Sequence, residues 1–214
     1  AIGRFALLRN TTGNFNSALG ASALSSNTTG DFNIAIGTDA LKNNTTGSQN
    51  VTVGYQSTYQ NTEGIQNTAL GYKALEGNVS GSNNTAVGYK TLQNSSGDRN
   101  TALGTGAGNT TDTGSQNVII GFDADVSVSD ANNQIVIGYN ATGAGDNTVQ
   151  LGNSDITNVK TSGTITAGAV TYPNTDGSAN QVLKTDGSGT LSWTTVSSGG
   201  AITGLSDALV ENNS

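Results

Sequence analysis

The stretch Asn67-Thr68-Ala69-Leu70-Gly71 has close copies along most of the chain, as in Asn33-Ile34-Ala35-Ile36-Gly37. Its final glycine returns every 17 residues, with one step of 16, and a second glycine usually follows ten residues later. A period this short, held over about 150 residues, predicts stacked coils that each repeat one supersecondary unit. The closing glycines of the repeats are Gly3, Gly20, Gly37, Gly54, Gly71, Gly88, Gly104, Gly121 and Gly138.

The composition is too poor in large apolar residues for an ordinary globular core. Leu, Ile, Val and Phe make up 43 of 214 residues, a fraction at which composition alone begins to suggest disorder. A solenoid resolves this conflict, because each coil buries a narrow face against the coils on either side. The chain has no Cys, which excludes disulfides and thiolate metal sites. It also has no Met, so we expect an internal piece of a longer protein.

The charge balance argues against nucleic-acid binding. Eight Lys or Arg residues stand against fifteen Asp or Glu, for a net charge of −7, and this leaves no basic surface for a polyanion. No apolar run approaches the roughly 20 residues of a membrane-spanning helix. We therefore expect no membrane insertion by this segment.

Nothing in the sequence points to an enzyme. The chain has no His or Cys, and no Ser, Lys or carboxylate spacing marks a catalytic group. The repeated glycines lie between predicted strands, so they do not form the phosphate-binding loop that opens a helix. We predict no catalytic residue and no cofactor.

Each repeat predicts a strand that ends at its glycine. The residue before the glycine is a branched aliphatic and the one before that is usually alanine, as in Ala69-Leu70. Neighbours in a strand point to opposite sides, so both faces are expected to be covered, as in parallel sheets. The asparagine four residues before each closing glycine from Gly20 to Gly121 is expected to stack from coil to coil as an amide ladder, or to serve only as a turn residue. Typical members are Asn33, Asn50, Asn67 and Asn84.

The rest of each repeat predicts a bend, a second short strand and a loop. Residues such as Tyr72-Lys73-Ala74-Leu75 alternate in polarity after the glycine, which indicates a strand. The loop, for example Asn27-Thr28-Thr29-Gly30, fits a turn in which glycine adopts positive φ.

Aromatic residues recur directly after the closing glycines and are the candidate binding surface. In stacked coils they form a column that either binds a sugar or receptor, or simply packs as cross-strand aromatic pairs do; we favour packing. The column comprises Tyr55, Tyr72, Tyr89, Phe122 and Tyr139.

Asp123, Asp125 and Asp130 cluster late in the repeats and offer oxygen ligands for a hard cation. The glycine and aspartate nonapeptide of calcium-binding β-helices is absent, and we predict no metal site.

The period is lost after residue 152. We predict a repeat roll of about nine coils over residues 1–152 and transition strands over 153–172. A β-hairpin module follows over 173–198, with Asp186-Gly187-Ser188-Gly189 as its turn. Residues 199–214 form a linker and the start of a further element.

The repeat resembles the head repeats of trimeric autotransporter adhesins over residues 1–152, although those repeats are usually 14 residues long. This resemblance implies a left-handed parallel β-roll that exists as a homotrimer, whereas ordinary parallel crossovers are right-handed. Residues 177–193 look like a short module of phage tail fibres, and residues 202–209 are similar to fibre sequences that follow it. Fibres of this kind are homotrimers that recognise a cell surface.

These observations together predict an all-β parallel solenoid, homotrimeric, followed by a small trimeric β module. We expect a non-enzymatic fibre segment, extracellular or on a virion, that partners with two copies of itself and positions a receptor-binding tip. The receptor, a cell-surface glycan or protein, is expected to bind mainly outside this segment. The alternative is an adhesin head on a bacterial surface that binds host matrix or cells. A third class is an ice- or glycan-binding solenoid.

Overall fold

The computed structural model describes residues 1–160, 162, 165–167, 170–172 and 177–195. All regular structure in these residues is β, and they contain no helix. The chain divides into two compact units, Ala1–Ile156 and Thr157–Ser214. Within the described ranges, no helix could therefore cross a membrane.

The first unit is a single parallel sheet of nine strands in sequence order. Each strand has three residues and ends directly before a closing glycine, except that β9 ends before Gly152. The prediction of a parallel β-solenoid is confirmed. The strands are β1 (Ser17–Leu19), β2 (Ile34–Ile36), β3 (Val51–Val53), β4 (Thr68–Leu70), β5 (Thr85–Val87), β6 (Thr101–Leu103), β7 (Val118–Ile120), β8 (Ile135–Ile137) and β9 (Val149–Leu151).

The strands stay in register although the coils differ in length. Partners are 17 residues apart, as in Ala69 and Ala86, except for 16 between β5 and β6 and 14 between β8 and β9. About eight turns therefore separate β1 from β9. We number each coil by the strand that ends it, so coil 2 is residues 21–37 and coil 4 is residues 55–71.

The interior of the roll is lined by alanines and leucines. The middle residue of β1 to β8 is buried, for example Ala69 in β4, and Leu41 and Leu75 are fully buried on the opposite wall. The apolar core is interrupted around coil 4, where Thr52, Ser57 and Thr58 are buried in place of apolar residues.

The predicted second strand of each coil is wrong. After the closing glycine the chain makes a turn in which two residues have left-handed φ, such as Lys73 at 55° and Leu75 at 56°. Ala74 and Leu75 both point into the core, which an alternating strand does not allow. Backbone hydrogen bonds to neighbouring coils stabilise this turn, as in Lys73 N–H to Tyr55 O at 2.9 Å.

The asparagines four residues before the closing glycines link the coils through the backbone. The Asn50 side-chain oxygen accepts the Asn67 backbone N–H at 2.9 Å, and the Asn50 side-chain NH₂ donates to Gly64 O at 2.9 Å. This pattern repeats from Asn16 to Asn117. Direct contact between side-chain amides occurs at only two steps of this ladder.

A second asparagine ladder, which the sequence interpretation treated as turn residues, joins side chains directly. The Asn44 NH₂ donates to the Asn27 side-chain oxygen at 2.7 Å and also to Gly47 O at 2.8 Å. The ladder runs from Asn10 to Asn78. These buried amides hold the loop edge of the roll together.

The two sets of glycines are needed for different reasons. Closing glycines have φ between 128° and 143°, a region that side chains other than glycine rarely adopt. The loop glycines Gly30 and Gly47 do not have positive φ, contrary to the prediction. A Cβ at Gly30 would instead contact the Gly47 carbonyl oxygen and the Asn27 side-chain oxygen.

The described residues of the second unit contain two antiparallel strand pairs. β10 (Ile165–Ala167) pairs with β11 (Val170–Tyr172), and β12 (Gln181–Thr185) pairs with β13 (Leu191–Thr195). The β12–β13 pair is the hairpin that the sequence predicts. The backbone N–H groups of Ser188 and Thr190 donate to the Asp186 carboxylate and lower its pKa to about 2. The predicted linker over 199–214 lies outside the described residues.

Candidate functional site

The outward face of the parallel sheet carries an apolar stripe. We define this stripe as the first and third residues of β1 to β9, which flank the inward-pointing middle residue. Fourteen of these eighteen positions are aliphatic; Ser17, Thr68, Thr85 and Thr101 are the polar ones. Leu70 is 47% exposed and Ile36 is 38% exposed. The sequence predicts that both strand faces are covered, but a single chain covers only the inner one.

The stripe is long for the surface of a single chain. Eight strand spacings of about 4.8 Å give a length of about 38 Å. With two side chains per rung it covers several hundred square ångströms, which is near the upper limit for a patch on a monomer. Exposed apolar patches larger than this are found at protein–protein or membrane interaction sites and at ligand-binding grooves.

The predicted aromatic column lies beside the stripe, across the bend at the closing glycines. Tyr55, Tyr72 and Tyr89 stack with ring centroids 5.3 and 5.2 Å apart. Phe122 and Tyr139 form a separate stack at 5.6 Å, because Thr105 stands at the intervening position. The rings are 42 to 68% exposed.

The geometry of the column favours packing over ligand binding. The interplanar angles of 11° and 18° place the tyrosine ring faces against each other, so mainly ring edges remain outside. Lys73 is paired with Glu76 at 2.8 Å, and this hydrogen bond raises the pKa of Lys73. Its ammonium also lies 5.9 Å from the Tyr72 ring centroid. A binding role for the column stays a prediction.

A further aromatic pair was missed by the sequence interpretation. Phe15 and Phe32, five residues before their closing glycines, stack at 5.0 Å and are 77% and 53% exposed. The same position holds polar residues from Gln49 onward. The 17-residue spacing of the two phenylalanines was the signal in the sequence.

One of the acidic residues late in the roll, Asp125, is half-buried and hydrogen-bonded to the backbone. Asp125 accepts backbone N–H groups from Thr110 at 3.0 Å and Val126 at 2.9 Å, and burial raises the pKa of its carboxyl. No group of three or more acidic side chains within the described ranges is arranged to hold an ion.

Comparison with protein-family models, curated proteins and solved structures found no match to this chain. The exposed apolar stripe is a functional feature that the fold itself presents.

Proposed function

We propose that this chain is a structural segment of a homotrimeric fibre, in which three rolls associate side by side through their apolar stripes. The segment is not an enzyme. It holds a receptor-binding tip, located elsewhere in the fibre, at a distance from the particle or cell that carries it.

The single observation that carries this proposal is the exposed apolar stripe on all nine strands. Aliphatic side chains gain about 25 cal/mol for each square ångström removed from water, so a regular stripe favours association along its whole length. Three copies, rather than two, are inferred from the resemblance of the repeat to trimeric adhesin heads. Cyclic symmetry then closes the assembly.

The hydrogen bonding of the roll supports a mechanical role. Every turn is tied to the next by strand pairing and by asparagine side chains. Since most of these bonds are buried, they do not exchange freely with water. A rod built this way resists bending and local unfolding.

The test is the mass of the purified chain in solution, measured by light scattering coupled to size-exclusion chromatography. The expected result is three times the 21.5 kDa of one chain, unchanged on dilution into the low micromolar range. A well-folded monomer would contradict self-association, and a stable dimer would contradict the trimer.

A further inference from the structure

The outward surface of coil 2 carries unusually small side chains. Ser22, Ser25 and Ser26 occupy three of its outward positions. The same positions hold Phe5, Leu8 and Arg9 in coil 1 and Asp39, Lys42 and Asn43 in coil 3. Three small residues in line between larger neighbours therefore leave a notch in the side of the rod.

The notch is an open cavity of about 390 Å³. Its floor consists of the three serines, with Ser25 only 8% exposed. Phe5, Leu8 and Arg9 form one wall, and Lys42 forms the other. Because these walls are two coils apart, their backbones are separated by about 9.6 Å, and the volume between their side chains is large enough for a single sugar ring.

The notch carries positive charge in an acidic protein. Residues 1–42 contain three basic and two acidic side chains, for a net charge of +1, whereas residues 43–214 have a net charge of −8. Lys42 is partly neutralised by Asp39 at 3.0 Å. Arg9 has no ion pair within the part of the chain that the structure describes. The guanidinium of Arg9 is thus available for an anion, to which it binds in bidentate fashion.

We propose that the notch binds an acidic sugar residue, a pyranose that carries a carboxylate. Leu8, together with the part of the Phe5 ring that the Arg4 guanidinium does not cover, offers an apolar surface to the C–H face of the ring, as saccharide sites commonly require together with a few fixed polar groups. The serine hydroxyls bond to the ring hydroxyls, and Arg9 takes the carboxylate.

This site is independent of the proposed assembly. The serines lie after the closing glycine, whereas the apolar stripe lies before it. Binding at the notch is therefore expected whether the rolls form a trimer or not, and the two proposals fail separately.

The test uses the full chain and two sugars that differ only in the carboxylate, methyl β-D-glucuronide and methyl β-D-glucoside. Binding is followed by saturation-transfer NMR and by amide shifts of the coil 2 serines. We expect the glucuronide to bind about tenfold more tightly, which is the effect of one charge-assisted hydrogen bond.

Two variants locate the site. Ser25→Tyr copies Tyr59 at the same position of coil 4, fills the notch and is expected to abolish binding. Arg9→Gln is expected to remove the preference for the glucuronide. Gln93→Tyr, the same position in coil 6, is the matched control and is expected to bind as the wild type does. If Ser25→Tyr lowers the unfolding temperature, Ser22→Gln replaces it, because Gln56 has the same left-handed backbone.

Four results would overturn the proposal. The two sugars could bind equally, or the Ser25→Tyr variant could bind the glucuronide as well as the wild type does. Neither sugar could bind up to about 10 mM, or glutarate could bind as tightly as the glucuronide. The last result would indicate an acidic peptide as the ligand instead of a sugar.

Discussion

The closing glycines satisfy two separate constraints at once. Gly71 has a φ of 143°, and a Cβ placed on it would contact the carbonyl oxygen of Gly88 in the next coil. The first constraint is conformational, whereas the second comes from the close approach of neighbouring coils. Substitutions at two glycines distinguish the effects of these two constraints.

We predict that Gly71→Ala destabilises the roll by about 3 kcal/mol or more, because backbone strain and a clash with a fixed carbonyl act together. Gly145→Ala is the matched control, since Gly145 has a φ of 125° but no atom within 4 Å of an added Cβ. This control variant is expected to lose only the stability that backbone strain costs, about 1 to 2 kcal/mol. Urea unfolding measures the free energy of unfolding of both variants. Equal losses would show that the clash of the added methyl group with the Gly88 carbonyl is relieved by a local shift.

Thr58 is an internal weakness of the roll. It is fully buried with an unpartnered hydroxyl, between Leu41 and Leu75 at the same position of the adjacent coils. Its φ of 50° equals that of Leu41, so this backbone accepts leucine.

We therefore expect Thr58→Leu to stabilise the protein by about 1 to 3 kcal/mol, by removing an unsatisfied buried hydroxyl and adding apolar contact. The reciprocal Leu75→Thr is expected to destabilise by a similar amount. Thermal unfolding compares the two. If Thr58→Leu does not stabilise the protein, an internal water satisfies the Thr58 hydroxyl in the wild type.

The asparagines show what the sequence reveals at single positions. Both asparagine ladders repeat with the 17-residue period of the glycines, but the one through Asn50 and Asn67 was predictable because these residues directly precede strands. The ladder through Asn27 and Asn44 was not, since Asn-Thr-Thr-Gly is equally typical of an exposed turn. Only the stacking distance between loops brings those amides within 2.7 Å.

At the scale of the coil, the prediction of the strand is correct and the prediction of a second strand after it is wrong. The strand has one inward residue between two outward ones, which is the β period. The turn places Ala74 and Leu75 inward together by using left-handed φ at Lys73 and Leu75. Such φ values are unfavourable for these residues by about 1 to 2 kcal/mol each. Backbone propensity therefore predicts against left-handed φ at these residues. Hydrogen bonds between coils offset this unfavourable conformational energy.

The loop of coil 8 is expected to make stability depend on pH through Asp125. Burial raises the pKa of its carboxyl and the neighbouring Asp123 raises it further. A carboxyl whose pKa is raised by folding stabilises the folded state when protonated. This contribution is present below the ordinary pKa of 3.8 and is lost as the pH rises through the folded value.

The expected outcome is that Asp125→Asn becomes more stable relative to the wild type as the pH rises from about 3 to about 7. Urea midpoints across this range measure the difference. Asp130→Asn, at an exposed position, is the control. A constant difference between wild type and Asp125→Asn would contradict the raised pKa.

For the whole molecule, the stripe is the surface on which assembly is expected to depend. Leu70 lies near its middle, in β4. Leu70→Asp places a charge in the proposed interface, where desolvation is unfavourable, and is expected to give folded monomers. Thr46→Asp, on an exposed loop, is expected to leave the mass unchanged. Scattering mass and circular dichroism report the two properties, and a trimeric Leu70→Asp would exclude the stripe as the interface.

The overall architecture was predictable because the glycine period and the strand pattern agree. Solvent exposure was harder to predict. Leu70 and Ala69 look equally buried in the sequence, yet only Ala69 faces the core. A repeat pattern shows which positions are equivalent, and it does not show whether their partner is the same chain.

The three-residue strand also has a consequence for length. A typical coil uses 17 residues and advances the rod by one strand spacing of about 4.8 Å, whereas an extended chain covers about 3.3 Å with every residue. Such a rod is short for the number of residues it contains, but its length is fixed by the number of coils. Gain or loss of one repeat in a gene would lengthen or shorten the rod by one fixed step and leave the other coils unchanged, so the number of repeats sets the length of the roll.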